Sequence, residues 1–195
     1  MGEKKSKPLF VESGFKFVTS RGADFGIGPL VLSGGGIYVD SDSDCNRRLL
    51  NFRAVGVGKG VADVSFDFAT PSMYSDGRIY TNTFRNAKVT IDDLTGPCLI
   101  YQGQIAPSGT GMAGTIMFLS VGLGLAAGWA AFSTGIGASL APAIVISSCR
   151  AVVVYWGNIW ALPGNAGVSG ALGYLSLSDA LVMKSAFSKL AEAAK

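Results

Sequence analysis

The sequence predicts an α+β protein. Residues 1–108 form an N-terminal antiparallel β-sandwich or small barrel, and residues 109–195 form an apolar glycine-rich helical hairpin followed by a C-terminal amphipathic helix. Three observations lead there. Charge is segregated: residues 1–93 carry 12 Lys/Arg and 11 Asp/Glu, whereas residues 94–178 carry one charge, Arg150. The first half alternates apolar and polar residues in short segments bounded by turn formers, which is the period of half-buried strands. The middle carries small residues at four-residue spacing, as closely packed helices do.

The strands come first. Phe15–Ser20, Ile37–Asp40, Leu49–Gly58, Val61–Phe68, Arg78–Phe84, Ala87–Asp92 and Cys98–Ile105 are the predicted segments. Gly34-Gly35-Gly36, the run Asp40–Asp44, Pro71-Ser72 and Asp76-Gly77 separate them, and glycine, proline, serine and aspartate favour turns for stereochemical reasons.

The hairpin follows. Thr110–Phe132 and Ala138–Leu162 are apolar segments of 23 and 25 residues, and a spanning helix needs roughly 20. Gly109 to Gly114 serve as the hinge into it, and Ser133–Gly137 as the turn. Ser120, Gly124 and Gly128 make one small-residue row; Ala127, Ala131, Gly135, Ser139 and Ala143 make another, with Gly114 at the entry. Such rows let helix backbones approach closely in lipid, while each glycine costs a helix in water about 1 kcal/mol. Arg150, central to the second segment, is expected to line a pore or pair with an acid from outside 94–178, because a lone arginine at that depth is costly. Ala151–Trp156 is rich in β-branched residues and could equally be a strand. Ser178 caps the final helix, whose apolar face holds Met183, Phe187 and Leu190.

Several chemistries are excluded or disfavoured. The chain has no histidine, which removes the commonest general base and metal ligand, so no enzyme, catalytic residue, cofactor or metal is expected. Gly109, Gly111 and Gly114 match G-x-G-x-x-G, yet no acid follows for the 85 residues after Asp93, and a ribose-binding acid is required about 20 residues on. Asp40, Asp42 and Asp44 read as a solvated turn, since a calcium loop needs a glycine and a distal glutamate that are missing here. Cys45, Cys98 and Cys149 show no zinc spacing. The net charge of +3 is too weak for a nucleic-acid binder.

The polar β-rich front, the stretch from Gly122 to Pro142 and the lack of an apolar leader in Met1–Phe17 resemble the small glycine-zipper pore-forming antibacterial effectors of type VI secretion. That resemblance implies a cargo of the Hcp tube, a cognate immunity protein and homo-oligomers in the inner membrane lipid of a target cell. It also implies solubility in the producer cytoplasm, secretion without a signal peptide, and ion-conducting pores that dissipate membrane potential. The alternative is a non-toxic structural component of a phage or secretion apparatus, its hairpin permanently buried.

Overall fold

The computed structural model describes residues 8–27, 30–42, 47–60, 75–85, 88–122, 141–160 and 164–178. Among the described residues, nine strands form one sheet: β1 (Phe10–Glu12), β2 (Phe15–Ile27), β3 (Leu30–Ser41), β4 (Arg47–Gly60), β5 (Ser75–Asn82), β6 (Gly96–Ala106), β7 (Thr110–Leu119), β8 (Ala151–Trp160) and β9 (Asn165–Leu177). Their order is β1-β5-β8-β7-β6-β9-β4-β3-β2, with every neighbour antiparallel. Strands from both sides of residue 108 interleave, with β9 between β4 and β6 and β8 between β5 and β7.

The sheet curls into a nearly closed barrel. The ring of Phe17 on β2 stacks on Tyr155 of β8, centroids 5.2 Å apart. Gly77 on β5 makes room for that stack, since a Cβ there would lie 2.7 Å from both residues. Alternation then decides what goes inside. Leu50 and Phe52 of β4, Ile100 of β6, Met117 and Leu119 of β7, Val153 of β8 and Leu175 of β9 point inward and fill one end. Gly56 lets β4 and β9 approach closely: a Cβ would sit 2.1 Å from the carbonyl oxygen of Gly170.

A second cluster lies on the outside of the barrel. Helix α1 (Ala141–Ser148) and Val121 lay Val145, Cys149 and Val121 over Leu99 and Val152. Pro142 fits because the first turn of a helix needs no N–H from it. The last carbonyls of α1 would otherwise lack donors. The amide of Asn82 donates to Ile146 O and Cys149 O, and the guanidinium of Arg85 donates to Ser147 O and Ser148 O. The cation also suits the negative end of the helix dipole.

The expected helical hairpin is therefore corrected. Thr110–Leu119 is strand, and so is Ala151–Trp160. Among the described residues no helix is long and apolar enough to cross a membrane. Two physical facts explain the difference. A four-residue row lies on one face of a strand as well as of a helix, so small-residue spacing does not choose between them. The apolar runs lack alternation because β6, β7 and β8 are apolar on both faces near α1, with the barrel core inside and α1 outside, and strands buried on both faces read as continuous apolar runs; farther along, the outer faces of the same strands stay apolar although exposed. The expected C-terminal helix lies outside the described residues.

The expected strand at Ala87–Asp92 is also corrected over its described residues, 88–92. The carboxylate of Asp93 accepts from the N–H and hydroxyl of Thr90, both at 2.9 Å. This side chain closes a turn into the short 3-10 segment Asp92–Leu94. The segment Val61–Phe68 lies outside the described residues.

Candidate membrane-contacting site

At the end of the barrel away from the apolar core, the usual alternation is reversed. Gln102 and Gln104 of β6, Thr115 of β7 and Ser169 of β9 point inward and are buried. The hydroxyl of Ser169 donates to Gln102 Oε1 at 3.2 Å. Gln102 Nε2, Gln104 Nε2 and Thr115 Oγ1 are buried without a hydrogen-bond partner. Such groups are costly in a dry interior, and in native proteins ordered water commonly satisfies them.

The outward face carries apolar side chains instead. Ile105 and Val168 are each 59% exposed, Met112 54%, Val55 48%, Leu32 45% and Ile116 41%. Register joins them into a belt. Met112 faces Ile105 across β6–β7, Ile116 faces Tyr101 and Val154, and Val55 faces Leu32 and Leu172. Gly103 and Gly114, paired with each other, leave a flat strip between the larger residues. Trp156 on β8 marks one edge of the belt, opposite Asp76 of β5. The belt continues from the apolar surface that α1 covers, since Tyr101, Phe118, Val154 and Leu172 pack at the rim of that cluster.

Ion pairs lie elsewhere, at Lys16–Asp42, Arg47–Asp40 and Arg78–Glu12. Asp40 and Asp42 are thus held in pairs across the strand ends, and among the described residues no cluster of His, Cys, Asp or Glu is suited to a metal.

The predicted site residues separate. Gly114 lies on the outer face of β7 within the belt. Ala143 lies in α1. Gly124, Ala127, Gly128, Ala131, Gly135 and Ser139 lie outside the described residues. Ser120 and Arg150 meet at one corner of the barrel. Ser120 has φ 52, a left-handed conformation costly for a non-glycine residue. Its hydroxyl donates to Asp93 O and Thr95 O, which offsets that cost. Arg150 Nη1 donates to Asp93 Oδ1 at 2.8 Å, and its backbone N–H donates to Leu119 O. Arg150 is therefore paired, by an acid just outside 94–178. Burial pushes the Asp93 carboxyl up, but the Thr90 N–H, the Thr90 hydroxyl and Arg150 together outweigh it and hold it below the ordinary carboxylate value.

The G-x-G-x-x-G run forms a hairpin turn that leads directly into strand β7. Gly109 has φ 86. A Cβ on Gly111 would lie 1.8 Å from Ile105 O, so the turn needs glycine there. Cys98 and Cys149 are free and buried. Burial pushes the Cys98 thiol up to about 12 and raises that of Cys149.

Sequence reasoning missed the polar interior. The signal was present in Tyr101–Ile105, where Gln102 and Gln104 alternate with Tyr101, Gly103 and Ile105. Read as a strand, that pattern puts glutamine on one face and apolar or small residues on the other.

Fold and surface together define a class: a nearly closed antiparallel barrel with a water-adapted end and an inverted end. No protein-family model, curated protein or solved structure matches this chain.

Proposed function

We propose that the protein acts on lipid bilayers, binding through the apolar belt and making the target membrane permeable to ions. The observation that carries the reading is the reversed alternation at one barrel end. Apolar-out and polar-in is the pattern of strands that face lipid, and a large exposed apolar patch marks an interaction surface. From Met112 to Ile116 the belt runs four residues, roughly 13 Å along the strand. With strands tilted 35–45°, that is about 10 Å of depth, close to the 5–10 Å reached by elements lying in the headgroup boundary. The belt therefore dips into one leaflet.

The barrel axis is not the conducting path under this reading, because Phe52, Ile100, Met117 and Tyr155 plug the other end. Ions pass where several copies ring a lesion in the bilayer. Use as an antibacterial toxin, delivery by an Hcp tube and neutralisation by an immunity protein belong to the same proposal and rest on the resemblance. The test is dissipation of a potassium-diffusion potential in liposomes by purified protein. Vesicles that stay polarised at saturating protein would refute it.

A second reading is a structural component whose belt is covered by another protein chain. It is favoured by α1, which shows the outer sheet face accepting protein side chains. Expression with and without a periplasmic targeting signal separates the two, because only a membrane-active toxin arrests growth.

A further inference from the structure

Beside the belt, a groove of about 790 Å³ crosses the outer face of β3, β4 and β9. Register explains it. Gly34, Arg53 and Tyr174 form one outward row, and Gly36, Asn51 and Ser176 form the next. Gly34 leaves the β3 side bare: a Cβ on it would find only Phe52 O, at 3.8 Å. The following row is Leu32, Val55 and Leu172, which belongs to the belt. The groove thus lies where polar surface gives way to apolar surface.

Its charge is one-sided. Among the described residues Arg53 lines it, no acid does, and Arg53 has no ion-pair partner. A guanidinium presents a planar fork of donors that fits a phosphate bidentately. Asn51 and Ser176 add further polar groups, and Tyr174, 60% exposed, is an aromatic of the kind that favours the headgroup level.

We propose that this groove is a phospholipid headgroup site. Arg53 holds the phosphate, Asn51 and Ser176 hydrogen-bond its remaining oxygens or the glycerol, Tyr174 flanks it, and the acyl chains run along Leu32 and Val55. This deepens the membrane reading and rests on it, by naming the lipid group that orients the barrel on the bilayer.

The test uses the full chain and three probes: monomeric dihexanoyl-phosphatidylglycerol, inorganic phosphate, and phosphatidylglycerol vesicles. Arg53→Gln and Gly34→Leu are compared with wild type and with Arg78→Gln, which changes net charge equally at a distant site. The expected result is a loss of about tenfold or more in short-chain lipid affinity for Arg53→Gln, the scale of a lost charge-assisted hydrogen bond. Gly34→Leu fills the groove and gives a similar loss, Arg78→Gln gives none, and inorganic phosphate binds far more weakly than the lipid. Thermal unfolding shows whether each variant remains folded. Unchanged lipid affinity in folded Arg53→Gln overturns the proposal, and equal affinity for inorganic phosphate and lipid overturns its lipid part. Arg53-dependent binding of the short-chain lipid without vesicle binding keeps the groove and refutes the membrane reading. Vesicle binding and short-chain lipid affinity that both ignore Arg53 do the reverse.

Discussion

The belt can be dismantled without touching the core. Ile105, Met112 and Val168 are all more than half exposed, and each stands on a different strand. Full burial of such a side chain contributes about 1.5–3 kcal/mol. Slightly more than half of each surface is still in water, so moving it into lipid contributes about 1 kcal/mol per residue. Ile105→Thr, Met112→Thr and Val168→Thr together therefore remove about 3 kcal/mol of membrane affinity, or roughly two orders of magnitude in partition constant. Threonine suits strands, and the replaced atoms pack on little, so the folded barrel stays close to its original stability. The assay is co-sedimentation with phosphatidylglycerol-containing vesicles over a lipid titration, beside thermal unfolding in their absence. A triple variant that partitions within about twofold of wild type, at unchanged thermal midpoint, would show that lipid does not contact these side chains.

Gly56→Ala should destabilise the fold by about 3 kcal/mol or more, because its Cβ meets a backbone carbonyl that cannot swing aside; Gly14→Ala, with nothing within 4 Å, is the control in urea unfolding. Asp93 should govern the acid limb of stability. Its folded value is depressed, so its contribution is full above the ordinary carboxylate value near pH 4 and is lost as pH falls through the lower folded value. Asp93→Asn should cost about 1–2 kcal/mol at neutral pH and flatten that limb in pH-dependent unfolding; an unchanged slope below pH 4 would refute the assignment. Asn82→Ala should loosen α1 and cost about 1–3 kcal/mol, seen as faster amide exchange at Cys149 and Arg150. Cys98 and Cys149 should resist maleimide at pH 8 until denaturant is added, as peptide mapping would show, because both thiols are raised by burial.

The β-rich front was legible because its segments alternate. Phe15–Ser20, Ile37–Asp40, Leu49–Gly58 and Cys98–Ile105 all fall within strands. The apolar half was misread for a specific reason. Leu99 and Val152 lie under α1, on the outer face of strands that also have a buried inner face, and such two-sided burial erases the period that marks a strand. Trp156 and Tyr155 are neighbours in sequence, yet one sits at the belt edge and the other in the barrel core, a distinction set by strand parity. The pairing of Arg150 was legible as a requirement, but Asp93 became identifiable only once the turn at Thr90 brought it beside β7 and β8. The groove at Arg53 was invisible to sequence, since it depends on which strands adjoin β4.

The corner at Ser13-Gly14 has a consequence for the edges of the sheet. The two outermost strands of the sheet, β1 and β2, are consecutive along the chain, and the Ser13 N–H donates to Ile79 O at 2.9 Å. The sheet's two edges thus meet at one seam, with Phe17 of β2 stacked on Tyr155 of β8 inside it. A chain that displays an apolar belt and also offers an open edge would template cross-β stacking. By bending one stretch of backbone to face both β5 and β3, the barrel turns its two sheet edges toward each other instead of outward.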